Sequence, residues 1–467
     1  MLHMTEIKPL LGLCPIGKFV FSNEDAIHYK KLLQGKLTEW GVAYVDLEGV
    51  LEDGLVKDQS HVDAAVEHFR SAGIDCLFMP HCNFGTEGAV GMIAKKLAVP
   101  TLLWGPRDEA PLADGTRLRD TMCGLFASSK VLSKVGVPFT YIENCRIDDE
   151  PLQKGVDTFL RAVNVANALR KGIRIGLIGQ RIDFFWTTIV NESELLQRFN
   201  VEVLPFDMVD FIRDAKQRAS KDRDQYQSEV RDLRSRYEVV GLEDDEFINV
   251  LAVRDQMLAL AAEHALEGIA FQTFMSIIDA MGAYCIFAES AVAEKYAFAL
   301  ESDIHGVISG VLLRRANFNR DPVYLAEFTT RHPQNDNAVL IWHAGAPVSM
   351  AHPDEKVKLG YHWILPSPLS GMLHFRMKDG PLTVIRFDGD FGDYKLAIGE
   401  GHTVDGPRTL NNYVWMQVDD WLHWERTLIE GPFIHHCGMA YGYYADALVE
   451  ACRYIPGLEP LRLSRPV

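Results

Sequence analysis

Three stretches of this sequence put metal-binding groups at the ends of apolar segments. In "YLAEFTTRHPQNDNAVLIWHAG" (324–345) an apolar run delivers the carboxylate of Glu327. A polar, turn-forming stretch follows, and a second apolar run delivers the imidazole of His343, 16 residues on. Upstream, "FALESDIHG" (298–306) places Glu301 and Asp303 where an apolar segment ends and a helical stretch begins. Downstream, "GPFIHHCGMAYG" (431–442) presents His435 and His436 after a short apolar run. Adjacent residues of a strand point to opposite faces, so at most one of the two histidines binds an ion shared with the others. The other is left for substrate or for a supporting role. Hard oxygen and borderline nitrogen donors together suit Mn²⁺, Co²⁺, Fe²⁺ or Mg²⁺ better than a structural Zn²⁺ site, which more often uses cysteine.

The elements that must position these groups fall into three textures. The first third alternates short apolar runs (9–16, 42–48, 74–80, 99–105 and 138–144) with amphipathic stretches (22–40, 58–72, 86–98 and 151–171). Such alternation predicts a parallel sheet covered on both faces. We read 1–172 as one such domain. New strands at 173–179, 201–207 and 268–274 open a second α/β domain, 173–320, which carries the charge-laced segment 213–238 as a solvated helical face. From 321 to 467, segments such as "LTVIRFDG" (382–389), "YKLAIGEGHTV" (394–404) and "NYVWMQVDD" (412–420) are short, alternating and separated by Gly, Pro and Asp. That texture predicts an antiparallel sheet or barrel. The expected fold is therefore two doubly wound, Rossmann-like or flavodoxin-like α/β domains followed by an antiparallel β-barrel-like domain.

Bulk properties exclude several functions. The 467 residues include 47 Lys and Arg against 64 Asp and Glu, a formal charge of −17. Phosphate binding needs a basic surface, so a nucleic-acid partner is not expected, nor is docking on anionic membrane. No apolar run approaches the ~20 residues needed to span a bilayer. The N-terminal "MLHMTEIKPLLGLCPIGK" lacks the pattern of a signal peptide. Eight scattered cysteines with no C-x-x-C pair fit a reduced, cytoplasmic protein, with Cys76, Cys123 and Cys285 read as buried thiols. "GLIGQR" (176–181) lacks the dinucleotide-binding spacing, and there is no Walker A sequence, so no nucleotide cofactor is expected. The absence of G-x-S-x-G argues against a serine hydrolase.

The chain resembles the L-fucose isomerase and L-arabinose isomerase superfamily. The resemblance rests on "GLIGQRIDFFWTTIVNESELLQRFNVEVLPFD" (176–207), "ALESDIHG" (299–306), "LAEFTTRHPQNDNAVLIWHAGAP" (325–347) and "HHCG" (435–438). The order Glu, Glu, His, His, with spacings of 26, 16 and about 93 residues, is similar to the arabinose-isomerase pattern. The resemblance implies Glu301, Glu327, His343 and one histidine of the pair as metal ligands, and the arabinose isomerases point to His436. It also implies a homo-oligomer, a trimer or hexamer, with the active site between subunits.

The implied chemistry is aldose–ketose isomerisation of an open-chain sugar (a pentose, deoxyhexose or substituted hexose), with a proton moved between C1 and C2 through a metal-stabilised enediolate. A divalent ion, Mn²⁺ first and Co²⁺, Fe²⁺ or Mg²⁺ as alternatives, acts as a Lewis acid on O1 and O2. A carboxylate takes the proton from one carbon and returns it to the next. Glu301 and Glu327 are the expected acid/base pair. Asn83, Gln180, Trp186 and His435 are candidates for substrate hydroxyls, Trp342 for a sugar face, and Arg331 for a charged substituent. A metal-dependent epimerase or lyase would use the same groups. A non-catalytic sugar-binding sensor would not need four ligands.

Overall fold

The computed structural model describes residues 6–274, 276–363 and 368–464. These fall into two compact units, Ile7–Asn167 with Glu450–Tyr454, and the remainder.

In the first unit Leu11–Leu13 (β1), Tyr44–Val45 (β2), Cys76–Pro80 (β3), Thr101–Trp104 (β4) and Phe139–Tyr141 (β5) form a parallel sheet in the order β2-β1-β3-β4-β5. This is the flavodoxin-like strand order. β1, β3 and β4 are buried along their whole length, which is why they read as continuous apolar runs. Helices Asn23–Glu39, Val62–Ala72, Glu87–Leu97 and Thr121–Lys134 make the crossovers. Their apolar faces meet the sheet in a core that includes Val66, Phe69, Leu77, Met79, Val90, Ile93 and Leu103. Cys123 departs from expectation. The buried stripe of its helix runs through Thr121, Gly124, Leu125, Ser128 and Leu132, which leaves Cys123 exposed. None of the eight cysteines is in a disulfide.

The second unit opens with Ile173–Ile178 (β6) and Val201–Phe206 (β7), followed by the short Glu238–Val239 (β8), then Gly268–Phe271 (β9) and Ala297–Ala299 (β10). Four of these form a parallel sheet, β10-β9-β6-β7. The charge-laced segment forms two helices, Met208–Lys221 and Arg223–Arg236. One stripe, with Phe211, Ala215, Tyr226, Val230 and Leu233, is buried. Charged residues on the rest form pairs such as Arg213–Asp210 and Arg236–Asp232.

The later strands are Tyr324–Arg331 (β11), Ala338–His343 (β12), Lys358–Tyr361 (β13), Ser370–Arg376 (β14), Pro381–Asp390 (β15), Asp393–Val404 (β16), Asn412–Gln417 (β17), His436–Tyr441 (β18) and Leu458–Arg462 (β19). Six of them close into an antiparallel barrel, β15-β16-β17-β12-β11-β18 and back to β15. Closure leaves these six strands without an open edge. β19 lies parallel beside β16, and β14, β13 and β8 extend the sheet from β17.

One helix joins the parallel sheet to the barrel. Ile304–Ala316 is buried on nearly every side and packs on β9 and β10 as well as on β15 and β18. That explains its all-round apolar sequence, since a surface helix would show a polar face. Among the described residues, no helix is long and apolar enough to cross a membrane.

Candidate metal centre

Three of the four chemical groups at this site stand at or just beyond the end of a strand, and the fourth, Glu327, lies within β11. β10 ends at Ala299, and the chain turns through Glu301 (φ 62°) and Ser302 (φ 57°), both left-handed. Non-glycine residues pay about 1–2 kcal/mol each for that conformation. Three hydrogen bonds hold the turn. Ser302 N–H donates to Phe271 O at 3.1 Å and Asp303 N–H to Leu300 O at 3.2 Å. Ser302 Oγ donates to Gln180 O at 3.2 Å. Asp303 then caps Ile304–Ala316, its Oδ1 accepting from Gly306 N–H at 2.9 Å.

The barrel supplies the other three groups. Glu327 on β11 lies directly across from His436, the first residue of β18. His343 is the last residue of β12, opposite Asn412 on β17. One donor atom from each of Glu301, Glu327, His343 and His436 can be chosen so that all lie within 4.8 Å of one another. His343 Nε2 is 3.0 Å from Glu327 Oε1, and His436 Nε2 is 3.3 Å from Glu301 Oε2.

The electrostatics follow from this crowding. Burial works to raise the pKa of Glu327, but the imidazoles of His343, His435 and His436 outweigh it and hold the carboxyl well below the usual range. Burial works to lower the pKa of His343, yet Glu327 and then Glu301 push it above its ordinary value. His436 is likewise driven up against its burial, by its bond to Asp303 and by the carboxylates of Glu301 and Glu327 facing its Nε2. The carboxylates thus favour positive charge at the centre of the cage, which a metal cation can supply in place of protons.

Asp303 and Arg386 brace the cage; the sequence singles out Asp303 beside Glu301, but not Arg386. His436 Nδ1 is 2.9 Å from Asp303 Oδ2, and Arg386 grips the same carboxylate at 2.5 and 3.2 Å. Burial opposes the charge on Asp303, but Arg386 and His436 hold its pKa far below the usual carboxylate range. With Nδ1 committed, the buried Nε2 of His436, which has no hydrogen-bond partner among the described residues, is the nitrogen left to face an ion. This is the arrangement in which a carboxylate fixes the tautomer and aim of a metal-binding imidazole. Two carboxylates and two imidazoles so aimed fit a divalent ion that accepts mixed oxygen and nitrogen donors. The available signal for Arg386 is a lone arginine in the apolar strand "LTVIRFDG", since a buried cation demands an acidic partner.

The remaining candidates divide. His435 sits at the rim, its side chain 54% exposed and its Nε2 3.6 Å from Glu327 Oε1. Trp342 packs edge-on to His343 with ring centroids 6.1 Å apart, and Trp363, which the sequence did not flag, meets Trp342 at 6.2 Å. The carbonyl of Gln180 supports the Glu301 turn, while its residue is exposed. Trp186 is 74% exposed, in the short helical turn Trp186–Thr188. Arg331 is four residues beyond Glu327 on β11, roughly 13 Å along a strand. It is engaged with Asp336 across the hairpin. Asn83 belongs to the other unit. Its Oδ1 accepts from Lys18 N–H and Phe84 N–H, and its Nδ2 donates to the carbonyls of Lys18 and Ser22, which leaves no donor hydrogen for a ligand.

Comparison with known proteins agrees with this architecture. The fucose/sulfoquinovose isomerase N-terminal domain matches residues 12–170, and the L-fucose isomerase C-terminal domain matches residues 370–457. A sulfoquinovose isomerase from Alkalicoccus urumqiensis is 23% identical over 340 residues, spanning 72% of this chain and 74% of that protein. Among solved structures, a periplasmic solute-binding protein of an ABC transporter from Actinobacillus succinogenes 130z with bound D-allose is 13% identical. It covers 66% of this chain and 92% of that chain at a TM-score of 0.17. A solute-binding protein from Burkholderia multivorans is 10% identical, covering 67% and 95% at 0.18. Scores this low carry no weight for the fold. The first family model takes in nearly all of the flavodoxin-like unit and the second runs from β14 through β18, together more than half of the sequence, so this chain belongs to the L-fucose isomerase-like family of aldose–ketose isomerases.

Proposed function

We propose that this protein is a metal-dependent isomerase of an open-chain sugar, with Glu301, Glu327, His343 and His436 holding a divalent ion, Mn²⁺ before Co²⁺, Fe²⁺ or Mg²⁺. The observation that carries the reading is the convergence of these four side chains to within 4.8 Å at the junction of barrel and parallel sheet. When bound, the ion supplies Lewis-acid stabilisation of negative charge developing on O1 and O2 of the sugar. Glu301 and Glu327 are the acid/base pair: one takes the proton from C2 and a proton is returned at C1. Asp303 holds His436 in the tautomer that leaves Nε2 toward the site. Trp342 and Trp363 offer apolar surface beside His343, and His435 offers a hydrogen-bonding group at the rim.

The similarity to a sulfoquinovose isomerase makes sulfoquinovose the first substrate to test, with L-fucose and L-arabinose after it. We further propose a cytoplasmic homo-oligomer, a trimer or hexamer, which sedimentation of the purified protein would size. The functional test is proton exchange in D₂O. Metal-stripped protein, reloaded with Mn²⁺, is expected to remove the C2 proton of its sugar with the ketose appearing in the NMR spectrum. Exchange with a C2 epimer instead of a ketose would replace the isomerase reading with an epimerase. Ketose formation at the same rate without any divalent ion would remove the metal from the mechanism.

A further inference from the structure

Glu289 is the lone acid of an apolar segment, "YCIFAESAVA" (284–293), which forms the helix Ile286–Ala293. Its side chain is 0% exposed, and neither carboxyl oxygen has a hydrogen-bond partner among the described residues. The nearby Thr273 hydroxyl, which favours its charged form, is turned instead to the carbonyl of Phe271 at 3.5 Å. Burial pushes its pKa up to about 8, with the charge of Glu301 adding to the effect. Glu301 and the buried thiol of Cys285 are the titratable groups coupled to it. An unpaired carboxyl in such a place costs free energy that an apolar side chain of the same size would not.

Its location gives that cost a purpose. Ser290, the next residue, donates from Oγ to Ala346 O at 2.7 Å, which ties this helix to the segment following His343. Gly345, two residues after His343, has φ +80°. A Cβ there would lie 3.7 Å from Glu289 Oε2 and 3.4 Å from Cδ1 of Leu300, the residue before Glu301. The carboxyl therefore stands in the wedge between the backbone segments that carry His343 and Glu301. His343 Nδ1 is also buried without a hydrogen-bond partner among the described residues. We propose that Glu289 is a positioning residue of the metal centre, its buried carboxyl filling the wedge between the segments that carry Glu301 and His343 and offering both a polar partner that no apolar side chain would. The inference rests on the reading of the four-residue cluster as a metal site.

The test is Mn²⁺ binding to metal-stripped full-length protein, with free Mn²⁺ counted by EPR and thermal melts run on the same samples. Glu289→Leu should weaken Mn²⁺ binding by ~10–100-fold, the range for removing a residue that supports a metal ligand, while the metal-free melting temperature stays level or rises. Glu289→Gln, which keeps the shape and polar atoms, should restore binding to within about threefold. Wild-type affinity in the Leu variant would overturn the proposal, as would a Gln variant as weak as Leu. Should the Leu variant fail to fold, Glu289→Met set against Glu289→Gln decides on the same criteria. If wild-type protein itself binds no Mn²⁺, the metal reading falls and takes this inference with it. Wild-type binding with indifferent variants removes the inference alone.

Discussion

His81 and His343 are both fully buried at the C-terminal ends of strands, one in each unit, and they come out with opposite protonation tendencies. His81 follows β3. Its Nδ1 lies 3.2 Å from Met79 O and its Nε2 2.7 Å from Ser128 Oγ. Burial dominates there and pushes its pKa down to about 4. His343 meets the same burial, but Glu327 and Glu301 reverse the outcome. A desolvated imidazole with neutral partners is a core residue. A desolvated imidazole caged by carboxylates is a group ready to exchange its proton for a metal ion. What separates the two is therefore the charge that the fold brings from distant parts of the chain, rather than burial or position in a strand.

Removing that charge should break the contrast. Glu327→Gln is expected to lower kcat by about 10²–10⁴, the usual span for loss of a general acid or base, and Glu301→Gln should behave alike. In metal-free Glu327→Gln protein, the imidazole nitrogen shifts of His343 should move toward the neutral form expected of His81. Near-normal turnover in either variant would take that glutamate out of the chemistry. An unmoved His343 would mean that Glu327 does not set its state.

The brace behind His436 comes next in size. Asp303→Asn leaves buried Arg386 without its bidentate partner and should cost roughly 3–5 kcal/mol of stability in urea unfolding. It also frees His436 Nδ1, so Mn²⁺ affinity should fall ~10–100-fold. A stability loss with Mn²⁺ affinity intact would make Asp303 a structural residue only.

The sequence shows the parts of this site better than the joints between them. Glu301, Glu327, His343 and His436 are readable because each stands where an apolar run ends, and the strand–helix alternation that positions them is equally plain. The Asp303–His436 bond joins residues 133 apart, and nothing local in "ESDIHG" announces it. Nor does composition reveal the left-handed turn at Glu301 and Ser302, because neither residue type prefers that conformation. Asn83 shows the converse. Its strand–turn–helix setting resembles a ligand loop, but partners some 61–65 residues away use its donors to close the loop itself. The barrel's closure through β16 and β17 is equally hidden, since alternation predicts strands but not which two meet to shut the ring.

Acid should expose the other side of the comparison. The unfolded chain protonates His81 near its ordinary value of about 6.5, whereas the folded protein resists until about 4. Below the first value the unfolded state holds more protons, so this residue's contribution is intact above it and is lost as pH falls toward the second. The loss integrates to about 3 kcal/mol. His81→Gln should flatten the stability curve between those values. A variant curve parallel to wild type would assign the acid sensitivity to other groups.

The smallest effect discriminates most finely, because it separates two adjacent histidines. His435 and His436 have ring centroids 4.5 Å apart, and both approach Glu327. His436 is buried and held by Asp303, while His435 is more than half exposed. An exposed imidazole near a carboxylate contributes little, on the order of 0–1 kcal/mol, so His435→Ala should change Mn²⁺ affinity by no more than about fivefold. His436→Ala should lose the ion, as elemental analysis of the purified variant would show. If the His435 variant instead raises KM at unchanged metal content, it acts on substrate at the rim. If it is the variant that comes out of purification stripped of metal, the two histidines exchange roles, and the Asp303–Arg386 pair would be bracing the barrel rather than a metal ligand.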